Sequence, residues 1–228
     1  MSNAVIIMCM QIHIVQNGDL VKQGMEFRSR IMQQAFGLDP ALDPDSWDTV
    51  AWHVVAEQHG EVIGYYRAMQ CDPLGFCTEI EFDLAPLAIA RDQILEIGRA
   101  AADPRYPTAI LRLWQAVISL AQRLDKKWIM GTASLKVCDF DTHYLSEQWR
   151  QRYRYRDGSH AVPRIPYQGN GPGTQRDAPA LIQTYERIGA HIVSDLGWDP
   201  RFQTADVVTL LDIDCIEPAW RKKLRLDQ

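Results

Sequence analysis

The stretch Leu95-Glu96-Ile97-Gly98-Arg99-Ala100-Ala101 sets a carboxylate and a guanidinium inside an otherwise apolar strand pattern. Burying either charge alone costs several kcal/mol. The two therefore mark either a structural ion pair or a functional site at the centre of a sheet. Strict alternation would send Glu96 and Arg99 to opposite faces. Gly98 between them permits a β-bulge that re-aims the side chains. Other reactive residue types carry weaker signals. His53 and His191 lie in strand-like segments and read as hydrogen-bonded structural histidines. Cys138 has no neighbouring His to make it a nucleophile. Asp45 and Asp48 suit loop caps as well as ligands. Trp149 to Arg156 interleaves arginines with aromatics, and Arg221, Lys222, Lys223 and Arg225 form a second basic patch. Both fit solvated surface. They also fit docking to an acidic protein or an anionic membrane.

The elements that must position these residues follow from periodicity. Val5 to Val15 reads as a first strand. Leu20 to Phe36 carries Phe27, Ile31 and Ala35 at helical spacing, and Gly37 stops it. Asp39 to Asp48 is a loop. Val50 to Glu57 and Val62 to Gln70, separated by Gln58-His59-Gly60-Glu61, predict a hairpin. Gln93 to Ala101 is a strand. Thr108 to Leu124 shows Ile110, Leu113, Trp114, Val117, Ala121 and Leu124 on one helical face. Lys127 to Ala133 is a strand again, so this unit predicts parallel pairing. The Gly/Pro-rich stretch 157–176 reads as a long loop. Asp177 is then expected to cap a helix carrying Leu181, Ile182, Tyr185 and Ile188 and closed by Gly189. Ala190 to Ser194 and Val207 to Ile213 are the final strands. The order β-α-ββ-β-α-β-α-ββ predicts an α/β (α+β) chain forming a single domain over 1–228. It has a mixed central sheet, helices on both faces and a basic C-terminal tail at 214–228.

Composition narrows the classes. The chain has 228 residues, 46% of them hydrophobic, enough for one substantial core. Twenty-four Lys and Arg against 29 Asp and Glu give a formal charge of −5, which argues against a dedicated nucleic-acid binder. Five cysteines without a Cys-x-x-Cys argue against a disulfide framework or a zinc ribbon, and no metal is expected. The apolar run Ala4 to Met10 is too short to span a bilayer and lacks a basic flank. The expected location is cytoplasmic, with the basic patches allowing contact at the inner face of the membrane.

A strand bearing a carboxylate, then a loop, an amphipathic helix and a short strand, resembles the core of the GNAT acyltransferase fold. The chain is similar to the branch holding acyl-homoserine-lactone synthases, N-acyl amino acid synthases and ornithine-lipid N-acyltransferases. Arg28, Asp45 with Asp48, Arg67, and Glu96 with Arg99 stand where the lactone synthases carry their Arg, Asp-x-x-Asp, Arg and Glu-x-x-Arg. Glu96-Ile97-Gly98-Arg99, Leu113-Trp114, Gly131-Thr132-Ala133-Ser134, Tyr185-Glu186-Arg187-Ile188-Gly189-Ala190 and 198–206 resemble the ornithine-lipid enzymes. The usual glycine-rich phosphate loop is replaced by Asp103-Pro104-Arg105-Tyr106-Pro107-Thr108. A pyrophosphate needs several close backbone amides, and a phosphopantetheine arm needs fewer.

The resemblance implies transfer of a fatty acyl group from a phosphopantetheine thioester, on an acyl carrier protein or CoA, to a small amine or amino acid. The carrier protein and the amine are the expected partners. Glu96 is the expected base, and Arg99 would assist it. Amides near Ala100 and Ala101 would hold the oxyanion. Arg105, Thr108 and Ser134 would bind the pantetheine arm, and Arg28, Asp45, Asp48 and Arg67 would line the acceptor side. Arg67 or Arg99 would pair with the acceptor carboxylate. The alternatives are an acetyl-CoA-dependent N-acetyltransferase and a non-catalytic acyl-binding domain.

Overall fold

The computed structural model describes residues 10–71, 73–152, 160–169 and 173–226. The first strand, β1 (Gln11–Val15), is followed by helix α1 (Asp19–Phe36), which ends on Gly37 in the left-handed conformation (φ 65°). β2 (Trp52–Gln58) and β3 (Glu61–Met69) form the expected hairpin. Its turn residues, His59 and Gly60, both have positive φ, which matches the right-handed twist of the paired strands. β4 (Phe82–Asp83), β5 (Ile94–Ala102), α2 (Ala109–Arg123), β6 (Trp128–Lys136) and α3 (Thr142–Arg152) follow. The chain continues through β7 (Val162–Pro163), α4 (Ala180–Ile188), β8 (His191–Ile192), β9 (Gly197–Asp199), β10 (Thr204–Asp212) and α5 (Pro218–Lys223).

The main sheet runs β1-β2-β3-β5-β6-β10-β8, with β9 also paired to β10. β5 and β6 are parallel and the other pairs are antiparallel, so the sheet is mixed. α1 packs Phe27 on Val55, Tyr65 and Ala101. α2 buries Leu113, Trp114 and Val117 with Val54 and Tyr66, residues of the opposite parity and hence of the opposite face. Helices therefore cover both faces. At Gly24 of α1 an added Cβ would stand 3.0 Å from the Tyr65 ring and 3.1 Å from Val55, so a larger residue there would push those side chains back by a few tenths of an ångström. Truncating the wholly buried Leu113 to Ala would cost ~2–5 kcal/mol.

Several elements differ from the sequence expectation. α4 starts at Ala180, and its cap position is Pro179, not Asp177; the fixed φ of proline suits that place without a side-chain cap. β6 extends to Lys136 because β10 pairs along all of it. α3, β9 and α5 were not expected, since short or polar elements carry little periodicity. Within 157–176, Val162–Pro163 pairs with Phe82–Asp83, so part of that stretch is strand. The basic C-terminal residues Arg221, Lys222 and Lys223 lie in the last turn of α5. The expected strand residues 5–9, and Arg154 and Arg156 of the first basic patch, lie outside the described residues.

Candidate active site

β5 and β6 are paired only from Ile94↔Trp128 to Glu96↔Met130. Beyond that point β5 stays with β3 and β6 stays with β10, so the two strands part. Gly131 sits at the fork, where a Cβ would lie 2.5 Å from the Ile97 carbonyl oxygen. The gap opens into a cleft of about 1020 Å³, counting space open to solvent. Gly98, Arg99 and Ala100 line one side, and Gly131 to Ser134 line the other.

β5 is bulged here. Tyr65 pairs with Ala101 but Arg67 pairs with Gly98, so two β5 residues oppose one on β3. Arg99 takes the left-handed conformation at φ 53°. The result is the re-aiming anticipated for this segment: Glu96 and Arg99 both line the cleft. They do not pair with each other. Glu96 accepts bonds from the Cys77 amide (2.8 Å), the Thr78 amide (2.7 Å) and the Thr78 hydroxyl (2.6 Å). Burial pushes its carboxyl above the ordinary range, and those three bonds oppose the rise. The same environment, burial first and then the Glu96 charge, pushes the Cys77 thiol up to about 12, which keeps it protonated.

Arg28 is wholly buried and is not on the cleft wall. Its guanidinium grips Asp43 (2.6 and 3.1 Å) and Asp48 (2.7 and 2.8 Å), and Nη1 also donates to the Tyr65 hydroxyl (2.8 Å). The Asp48 carbonyl can only accept, so His53 Nε2 carries the proton toward it (3.1 Å), and His53 Nδ1 accepts from Tyr65 (2.7 Å). His53 is thus bonded at both nitrogens, and burial lowers its pKa. Burial raises and Arg28 and Arg67 lower the Asp48 carboxyl, which ends well below the usual range. Asp45 and Asp48 form a capping box around a short 3-10 turn, Ser46–Thr49.

Arg67 reaches the cleft but bonds Asp45 (2.5 Å) and Asp48 (3.3 Å). Arg99 Nη2 bonds Asp45 (2.9 Å), and the guanidinium lies over Phe202, 4.9 Å from the ring centre. Its Nη1 is buried with no partner among the described residues, although only 8% of the side chain is exposed. Of the remaining expected residues, Ser134 and Ala100 line the cleft. Ala101 packs its side chain against α1. Arg105 is largely exposed and bonds Asp103, and Thr108 precedes α2 without a side-chain cap bond.

Sequence reasoning missed the acidic wall opposite Arg99. Glu81, Asp199 and Asp206 bring carboxylate oxygens within 4.8 Å of one another. Arg201 bonds Glu81 (2.6 Å) and Asp199 (2.9 Å), and Ser134 donates to Asp206 (2.8 Å). Burial and the neighbouring carboxylates push both Glu81 and Asp206 well above the ordinary range. One signal was available. Asp206 interrupts the apolar strand Ala205 to Leu211 just as Glu96 interrupts β5.

Residues 26–115 match the family described as acetyltransferase (GNAT) domain. The L-ornithine N(alpha)-acyltransferase of Brucella abortus (strain 2308) is 24% identical, over 92% of this chain and 87% of its own length. FeeM, an N-acyl amino acid synthase from uncultured soil microbes, has a TM-score of 0.59 at 10% identity, covering 97% of this chain and 99% of FeeM. BjaI, a CoA-dependent acyl-homoserine lactone synthase, has a TM-score of 0.57 at 12% identity, covering 96% and 92%. The fold is the GNAT-like one expected from the sequence.

Proposed function

We propose that this chain, an acyltransferase with the GNAT fold, moves a fatty acyl group from a phosphopantetheine thioester to the amine of an amino acid. The observation that carries the reading is the fork between β5 and β6. It opens onto a buried carboxylate, Glu96, and a guanidinium with a free Nη1, Arg99. The name of the Brucella relative makes ornithine the first acceptor to test.

The neutral amine attacks the thioester carbonyl carbon, and the sulfur leaves as the pantetheine thiol. Glu96 takes the amine proton directly or through a water. A carboxylate has about four lone-pair positions; three are occupied, which leaves one for that proton. Amides near Ala100 and Ala101, on the edge that β6 leaves, hold the oxyanion. Arg99 Nη1 takes the acceptor carboxylate, since Arg67 is committed to Asp45 and Asp48. Ser134 and the start of α2, with Arg105 and Thr108, would hold the pantetheine arm and its single phosphodiester. The absence of a glycine-rich loop before α2 favours an acyl carrier protein over acetyl-CoA as donor. Arg150 of α3 and the basic residues of α5 would face that acidic carrier, or an anionic membrane surface. No helix among the described residues is long and apolar enough to cross a membrane.

The test is turnover of a long-chain acyl carrier protein thioester and of acetyl-CoA, with mixed amino acids and mass detection of the N-acyl product. Clear preference for acetyl-CoA sinks the donor assignment. Thioester left intact with every amine sinks the enzyme reading. Glu96→Gln should lower kcat ~10²–10⁴-fold at pH 7, with partial recovery at pH 9 where more amine is neutral. A thermal melt accompanies it, because the new amide faces N–H donors. Thr78→Val is the milder companion. Losing its bond raises the Glu96 pKa, so the acid limb of the kcat/KM profile should move to higher pH. A folded Glu96→Gln with normal turnover, or an unmoved limb in Thr78→Val, rejects the base role.

A further inference from the structure

We infer that Glu81, Asp199 and Asp206 form a subsite for a second, cationic ammonium group of the acceptor, so that the cleft selects amino acids with a basic side chain. This rests on the amino-acid acceptor reading above and adds which residues read the far end of the substrate.

Three carboxyl groups face one guanidinium, Arg201, on the cleft wall. Asp206 is 3% exposed and the Glu81 side chain 10% exposed. Oε2 of Glu81 and Oδ1 of Asp206 have no hydrogen-bond partner of good geometry among the described residues, and the Thr204 hydroxyl beside Asp206 eases its burial only in part. Buried carboxylates this close cannot all be ionised without a counter-charge. In the empty protein a proton fills that need, consistent with the raised proton affinity of Glu81 and Asp206. An ammonium supplies the same positive charge and three donors.

The independent observation is Arg99. Its Nη1 is the opposite kind of orphan, a buried cationic donor lining the same cleft without an acceptor. Phe202 stands between the two poles, under Arg99 at 4.9 Å and near Arg201 at 6.0 Å. An unmet positive donor and unmet negative acceptors in one cleft suit a ligand with a carboxylate and a separate ammonium. A neutral amino acid would fill the first and leave the second unpaired. A site that lacks a partner for its buried polar groups rejects such an analogue.

The experiment compares ornithine with norvaline, which has the same chain without the terminal amine. Binding to the full chain is followed by titration calorimetry, independently of turnover, and turnover is measured with a long-chain carrier-protein donor. Ornithine should exceed norvaline by ~10–100-fold in both affinity and kcat/KM. Its binding at pH 7 should release a proton, seen as dependence of the heat on the buffer. Asp206→Asn and Glu81→Gln should raise KM for ornithine ~10-fold or more and should cut the ornithine-over-norvaline preference in both affinity and kcat/KM. Equal use of the two amino acids overturns the inference while leaving the acyltransferase reading intact. So does an equal loss on both acceptors in the variants. Ornithine-selective binding without any acyl product keeps the subsite and sinks the acyltransferase reading. Tight binding of Mg²⁺ or Mn²⁺ that Asp206→Asn abolishes makes the cluster a metal site and overturns it too.

Discussion

Two regions of this molecule bury several charges, and they do so with opposite accounting. Around Arg28, which lies off the cleft, two aspartates, a tyrosine and a histidine bond one another, and Ser29, the Asp45 amide and Arg67 complete the remaining acceptors. Around Asp206, three carboxyls share one guanidinium at the cleft wall, and two oxygens are left over. Burial of charge is tolerated when hydrogen bonds and counter-charges are complete. The closed network therefore fixes structure, holding α1 against β3 and tying down the loop that carries Asp45. The incomplete one keeps its electrostatic demand for whatever enters the cleft. Glu96 and Arg99 lie between these extremes: the Glu96 oxygens are mostly occupied, and Arg99 keeps one free donor.

The contrast breaks most visibly at Arg28. Arg28→Met strands Asp43 and Asp48 in the interior and should cost ~3–5 kcal/mol of stability, measured by denaturant titration at fixed pH. If it unfolds no more easily than the wild type, the network is not the clasp described here. Arg99→Ala should spare most of the stability but raise KM for the amino acid by ~10–100-fold. A simple amine lacking a carboxylate should be used equally well by both forms, and an equal loss on that amine would deny Arg99 its carboxylate.

A smaller effect separates the two regions by pH. The Asp48 carboxyl is held below its ordinary range, so its contribution is present above pH ~4 and is lost as the solution is acidified. Glu81 is raised, so its contribution is full below pH ~4 and is lost as pH climbs through its elevated pKa. It faces Asp199, Asp206 and Arg201. Glu81→Gln should flatten the alkaline fall of the melting temperature and leave the acid limb unchanged. An unaltered alkaline slope would mean that Glu81 already ionises normally. The smallest change is expected at Arg105, which is 72% exposed and, among the described residues, bonds Asp103 and lies over the face of Tyr106. Arg105→Ala should leave the melting temperature essentially unchanged and raise KM for the thioester only a few-fold. A large loss of kcat there would give it a role in the chemistry that its position does not suggest.

The sequence by itself determined the elements whose pattern is local. The helical faces of α1 and α2, the β2–β3 hairpin around His59-Gly60, and the parallel β5–α2–β6 unit are all written in apolar spacing and turn residues. Glu96 and Arg99 were legible for a related reason, because a charge inside an apolar strand contradicts the solvent preference of its neighbours. Only the tertiary structure decided what those charges do. The bulge at Arg99 turned two residues of one strand toward a common cleft. Arg28, Asp43 and Asp48 come from separate segments and close into a network only when α1 lies on β3. Glu81, Asp199 and Asp206 are more than a hundred residues apart at their widest. Hydrogen bonds and Coulomb forces act over a few ångströms of space without regard to chain separation. Single-sequence periodicity can name a misplaced charge, but its partner is set by which strands the fold brings side by side.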